Sequence, residues 1–268
     1  MNIERLRKII KYSQDNRTEI STEVKKFCAY ADIEPESNML NILQIVRELF
    51  QKKGFLFLEM PIADDEIGAL CYKGEGLGYV IINSSLPRVN ANFALTHEIY
   101  HVFFQSDEFA SKVEFADDHY YEHDDEYAAN LFAGMLLMPE TDFVRMFKKF
   151  FQESDSNLKP TICKLMAYYC VPYMAALIRC CELELIEKKA VTETIMNVSK
   201  DEISNELDNL WLDSMIMSPS LIDEYPLLEK VVIKLGNDYV DEQLINRRTL
   251  DKIISNMHAL REKTRGGH

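Results

Sequence analysis

Thr96-His97-Glu98-Ile99-Tyr100-His101 decides the fold: it places H-E-x-x-H inside a segment whose flanks, Phe93, Leu95, Val102, Phe103 and Phe104, independently call for a buried helix. On an α-helix, residues four apart share a face, so both imidazoles can bind one ion while Glu98 lies beside them, close to a metal-bound water. The pattern implies Zn2+. Neutral imidazole suits a borderline-soft dication, and a carboxylate can take a proton from the water and return it to a leaving amine.

A catalytic zinc keeps three protein ligands and one open position, so a third ligand is expected elsewhere. Glu126 is the choice. It opens the next predicted helix as Glu126-Tyr-Ala-Ala-Asn130, and small Ala128, Ala129, Ala133 and Gly134 are expected to let that helix approach the first closely. His123, Asp124 and Asp125 are the alternatives, in what reads as the preceding loop or cap.

Outward from this pair, the periodicity predicts helices over 1–53 with a break at Ile33-Glu-Pro-Glu-Ser, then a short strand at Phe55-Leu-Phe-Leu ended by Pro61. A hairpin is predicted over 67–83, turning at Lys73-Gly-Glu-Gly-Leu. The active helix is predicted from about Asn92 to Gln105 and the ligand helix from about Asp124 to Met138, closed by Pro139, with Ser106 to His123 read as a loop. Residues 159–188 outline a helix-turn-helix broken at Cys170-Val171-Pro172, and from Val191 the pattern is helical.

Composition narrows the classes. The chain has 268 residues, 47% of them hydrophobic, and 30 Lys and Arg against 44 Asp and Glu give a net charge of −14. That is a globular composition, large enough for a sizeable core, and general disorder is excluded. No run approaches the length of a membrane-spanning helix and no apolar leader core follows Met1, so no membrane role and a cytoplasmic location are expected. The acidic balance disfavours nucleic acid. Cys28, Cys71, Cys163, Cys170, Cys180 and Cys181 form no C-x-x-C pair, so free buried thiols are expected and a zinc ribbon is excluded.

The two metal elements together resemble the ImmA/IrrE metallo-endopeptidases, whose pattern couples an H-E-x-x-H helix to E-x-x-A-N-x-F-A-x-x-L-L-M-P. Here the second element is Glu126-Tyr-Ala-Ala-Asn-Leu-Phe-Ala-Gly-Met-Leu-Leu-Met-Pro139. Val80 to Pro87 resembles the family's strand before the active helix, and Leu165 to Ile186 its helix-turn-helix-like continuation, so the likeness covers about 30–188. Departures are Tyr100 where Gly is usual, Asn92 for a frequent Arg, and Cys170 at a turn position where Gly is common. The resemblance implies an α+β fold, a small zincin-like sheet with an active-site helix and a second ligand helix, followed by a mostly helical C-terminal region. It also implies a cytoplasmic zinc endopeptidase that cleaves a helix-turn-helix repressor encoded nearby. The expected division is a peptidase domain at 1–145, a helical extension at 146–190 and a C-terminal region at 191–268.

The rival from another class is a non-cleaving binding module, a toxin-antitoxin or repressor-sequestering component that keeps the fold. Intact Glu98 favours the enzyme, because binding alone needs no general base. His119, Tyr120, Tyr121 and His123 crowd the loop between the metal helices, where a donor could stabilise an oxyanion. Tyr79 to Asn83 is a candidate edge strand for an extended substrate. Between Pro172 and Glu184 only Arg179 is cationic, so direct DNA reading is disfavoured. Leu207, Leu210, Trp211, Met215, Leu227, Leu228, Val231, Val232 and Leu235 predict a helical surface in 191–268 that docks a partner or a second copy, or forms a plain structural cap.

Overall fold

The computed structural model describes residues 3–34, 42–64, 67–74, 76–105, 109–114, 124–186 and 193–265. A long helix α1 (Ile3–Ala31) and a short one, α2 (Ile42–Lys52), precede strands β1 (Phe55–Met60), β2 (Ile67–Gly74) and β3 (Leu77–Asn83). Helix α3 (Arg88–Phe104), strand β4 (Phe109–Glu114) and helix α4 (Asp124–Leu137) follow. The rest is helical: α5 (Glu140–Glu153), α6 (Leu158–Tyr169), α7 (Tyr173–Glu182), α8 (Glu193–Met196), α9 (Lys200–Asn209), a 3₁₀ turn at Ser214–Met217, α10 (Tyr225–Asp241) and α11 (Arg247–Thr264). This is the expected α+β arrangement, a small mixed sheet among many helices.

The sheet order is β1-β3-β2-β4, with β1 parallel to β3 and the other pairs antiparallel. The expected hairpin over 67–83 is present. Two expectations are corrected. Tyr79–Asn83 is no edge: β3 pairs with β1 on one side and β2 on the other, so its backbone groups are committed. Part of the predicted loop 106–123 is strand β4, which forms the edge beside β2. Its Phe-Ala-Ser-Lys-Val-Glu lacks strict alternation and is too short and too polar to stand out without the ladder that pairs it.

Helix α3 starts at Arg88, a turn earlier than expected, because Pro87 supplies an N-terminal stop with a preset φ. Pro139 does double duty: it ends α4 and precedes α5, a helix the sequence reading left unassigned. Asn83, fully buried at the end of β3, fixes the connection into α3. Its Oδ1 accepts from the Ile62 and Ser85 amides at 3.0 and 2.9 Å, and its Nδ2 donates to the Asp64 and Ile67 carbonyls at 3.0 and 2.8 Å. Both lone pairs of the oxygen and both hydrogens of the amide nitrogen are used, as burial demands.

The core runs behind α3 and α4. Phe27 of α1 meets Phe103 and Phe132 edge to face, with ring centroids at 5.2 and 5.9 Å, and Tyr12 stacks on Tyr127 at 5.3 Å. Each large side chain buried here contributes about 1.5–3 kcal/mol of transfer free energy. Helix α7 closes the other end: Arg179, buried, donates from Nε to the Met138 carbonyl at 3.1 Å and from a terminal nitrogen to Glu182 at 3.0 Å. The single cation of α7, the second helix of the helix-turn-helix-like pair, is therefore a core strut and not a reading residue.

The C-terminal region returns to the sheet. The strap Ser218–Glu224 runs along Ser84–Arg88: the Leu221 amide donates to the Ser84 carbonyl at 3.0 Å, the Ser84 hydroxyl donates to the Ile222 carbonyl at 2.6 Å, and the Arg88 amide donates to the Ser218 carbonyl at 3.3 Å. Glu224 and Glu59 exchange bonds at 2.8 Å, amide to carbonyl one way and amide to carboxylate the other, and Arg47 pairs with both side chains. This covers the end of the β1 edge. The six cysteines are free, five of them buried. Among the described residues, no single helix is long and apolar enough to cross a membrane.

Candidate metal centre

Helices α3 and α4 lie against each other, with Ala128, Ala129 and Ala133 buried in the contact region. Gly134 is not needed for that approach, since a Cβ there would meet nothing within 4 Å. His97 and Glu98 are 0% exposed and His101 1%, so the H-E-x-x-H face points into the protein. The Glu126 side chain, 20% exposed, reaches across from the first turn of α4.

The donors converge. His97 Nε2 stands 3.0 Å from His101 Nε2 and 3.1 Å from a Glu126 carboxylate oxygen, with the other Glu126 oxygen 3.6 Å from His101 Nε2. The proton positions follow from the neighbours. His97 Nδ1 lies 3.1 Å from Asn130 Oδ1, and His101 Nδ1 lies 3.0 Å from Gln105 Oε1. An amide oxygen only accepts, so each Nδ1 carries the hydrogen and each neutral ring presents its Nε2 lone pair to the common centre.

Two lone pairs and a carboxylate facing one another need a positive charge between them. Burial opposes charge on His97, yet the Glu126 carboxylate outweighs it and holds that pKa above the ordinary value. Burial first, and then repulsion from His97, push His101 down to about 4. A divalent cation resolves this conflict more fully than one shared proton. The donor atoms sit within 4.8 Å of one another, and the spacing expected between two ligands of a tetrahedral ion at usual bond lengths is about 3.3 Å. His97, His101 and Glu126 therefore fit a metal ion, and imidazole with carboxylate suits the borderline divalent metals.

Asn130 and Gln105 are site residues that sequence reasoning passed over. A signal existed: Asn130 is four residues after Glu126 and Gln105 four after His101, each on its ligand's own helical face. Holding the distal ring nitrogens fixes tautomer and orientation. Of the alternatives to Glu126, Asp124 and Asp125 belong to the first turn of α4 and not to a preceding loop, and Asp125 is exposed. His119, Tyr120, Tyr121 and His123 lie outside the described residues.

The three departures from the family pattern find places. Tyr100 packs among Phe104, Phe132 and His101, with centroids at 5.6, 5.8 and 6.0 Å, and burial raises its phenol pKa. Cys170 takes the left-handed conformation, φ 51°, that explains why glycine is common there. Asn92 donates to the Cys170 carbonyl at 3.3 Å, so two of the departures meet each other.

A small mixed sheet followed by a His-His-Glu pair of packed helices defines a metallopeptidase-type domain. Residues 50–180 match the family model of Peptidase M78, described as the IrrE N-terminal-like domain, and this match supports membership of that family. No curated protein matches the chain.

Proposed function

We infer that this protein is a zinc-dependent endopeptidase that cuts a cytoplasmic protein partner, a helix-turn-helix repressor encoded nearby. The observation that carries the reading is the buried convergence of His97, His101 and Glu126 with Glu98 on the same helix. When bound, zinc polarises the scissile carbonyl and acidifies its water. Glu98, on the same helix as the two imidazoles, would take a proton from the attacking water and return it to the leaving amine. Asn130 and Gln105 keep the two rings in the ligating tautomer.

An extended peptide suits this site, because a folded helix cannot bring its backbone to a buried centre. The edge strand β4 starts a few residues after Gln105 and offers the ladder for β-addition that interior β3 cannot. The repressor rests on the family likeness, and an extended linker is the kind of segment that could enter such a site. The sequestering alternative has no use for Glu98.

The experiment is to incubate the protein with the neighbouring repressor, with and without chelator, beside Glu98→Gln. Chelator-sensitive cleavage by the wild type, and metal-loaded but inactive Glu98→Gln, support the reading. Cleavage that survives complete metal removal, or a Glu98→Gln variant as fast as wild type, would falsify it.

A further inference from the structure

The first half of α1 departs from the charge of the rest of the molecule. In a chain of net charge −14, residues 5–14 hold Arg5, Arg7, Lys8 and Lys11 and no acid. Arg7 and Lys11 stand four residues apart on one face of the helix, where like charges repel. Among the described residues neither has an ion-pair partner. An anion beside both would replace that repulsion with attraction.

Both side chains line a groove where α1 meets α7, with a volume of about 170 Å³. The buried Leu6, Ile10 and Cys181 form its floor, and the exposed Ile3, Arg7, Lys11 and Gln14 form its rim. The α1 positions recur at spacings of three and four, which keeps the apolar floor and the cationic rim on one side of that helix. Glu182, next to Cys181 on α7, is buried and paired with Arg179 at 3.0 Å, so it does not neutralise the rim.

Floor and rim together select a ligand chemistry. Two aliphatic side chains and a thiol are poor partners for the amides of a peptide or the polar edge of a nucleobase, and burying such groups without partners is costly. An alkyl or aryl body meets no such cost. An apolar cavity of about 150 Å³ holds benzene, so the groove takes a body of about six to eight carbons. The rim supplies the site for the head: Arg7 and Lys11 attract one anionic group, and the Gln14 amide has hydrogens to donate to it.

We propose that the α1–α7 groove binds a small organic anion, one carboxylate-type head on an apolar body of about six to eight carbons. The groove is separate from the metal centre, yet both of its walls hold α4. Tyr12 of α1 stacks on Tyr127, and Arg179 of α7 donates to the Met138 carbonyl just past the end of α4. A ligand seated there lies between the two helices that flank the carrier of Glu126.

Calorimetric titration of the full chain tests it, with octanoate as the probe, octanol as the same body without charge, and acetate as the head without the body. Octanoate should bind once per chain with a dissociation constant below about 1 mM and raise the melting temperature. Octanol and acetate should each bind at least about tenfold more weakly. A variant carrying Arg7→Glu and Lys11→Glu, both at exposed positions where circular dichroism and metal content should match the wild type, should lose at least about tenfold in octanoate affinity. The absence of saturable octanoate binding, octanol or acetate binding as tightly as octanoate, or undiminished affinity in the variant would each overturn the proposal. So would attachment to vesicles of anionic lipid without octanoate binding, which would make the basic face of α1 a membrane contact.

Discussion

Two helix pairs in this molecule show opposite solutions to one problem. Helices α3 and α4 bury polar groups at the centre of an apolar core, and α10 and α11 leave apolar groups in water at its edge. In the first pair, Phe27 of α1 joins Tyr100, Phe103, Phe104 and Phe132 in an aromatic cluster on α3 and α4, Tyr100 reaches the His101 ring, and Asn130 and Gln105 hold the two buried imidazoles. In the second, Leu227, Val231, Leu235 and Tyr239 form an exposed apolar ridge along α10. Polar groups buried in an apolar shell mark the metal centre, and the exposed apolar ridge marks where the core stops.

The sharpest break of this contrast is by cavity. Phe132→Ala, at 0% exposure between α1, α3 and α4, should cost about 3–5 kcal/mol in urea unfolding. Val231→Ala on α10 should change the stability of the monomer by less than about 0.5 kcal/mol. Equal costs at the two sites would erase the distinction.

Metal retention sharpens it next. Glu126→Ala should release the ion on dialysis, read by metal analysis, while Glu98→Gln keeps one ion per chain and loses about 10²–10⁴-fold in turnover. Asn130→Ala touches neither ion nor substrate and should weaken metal affinity by about 10–100-fold in chelator competition. Full affinity in Asn130→Ala would show that the His97 ring is oriented by packing alone.

Smaller effects test the links between the regions. Glu224→Ala removes the carboxylate shared by the Glu59 amide and Arg47 and should cost about 1–3 kcal/mol, measured in urea. Cys170→Gly relieves a left-handed non-glycine residue and should raise stability by about 1 kcal/mol, seen as a higher melting temperature. A lower melting temperature there would mean that the Cys170 side chain contributes more by packing than its backbone costs.

Much of the site was legible because it is local. A helix brings positions four apart together whatever surrounds it, so His97, His101 and Glu98 follow from spacing. The same rule pointed to Asn130 and Gln105, whose roles went unread because an amide gains meaning only when a ring nitrogen faces it. The hairpin over 67–83 and the stop at Pro139 were likewise legible from turn chemistry, whereas the start set by Pro87 was read a turn too late. Strand β4 was not, since a polar hexapeptide becomes a strand only when β2 supplies the ladder. The place of β3 inside the sheet was hidden for a related reason: apolar runs look alike in edge and interior strands, and only non-local pairing distinguishes them.

By itself, then, the sequence determined the pair of metal helices, the residue types on their facing sides and the strand and hairpin before them, all set by periodicity and backbone preference within a few residues. Tertiary structure alone decided that Glu126 reaches the two imidazoles, that Arg179 is a strut under Met138, that Ser218–Glu224 binds Ser84–Arg88, and that one face of α10 stays exposed. Those are contacts between distant segments, and they exist only where the shared core closes the loops between them.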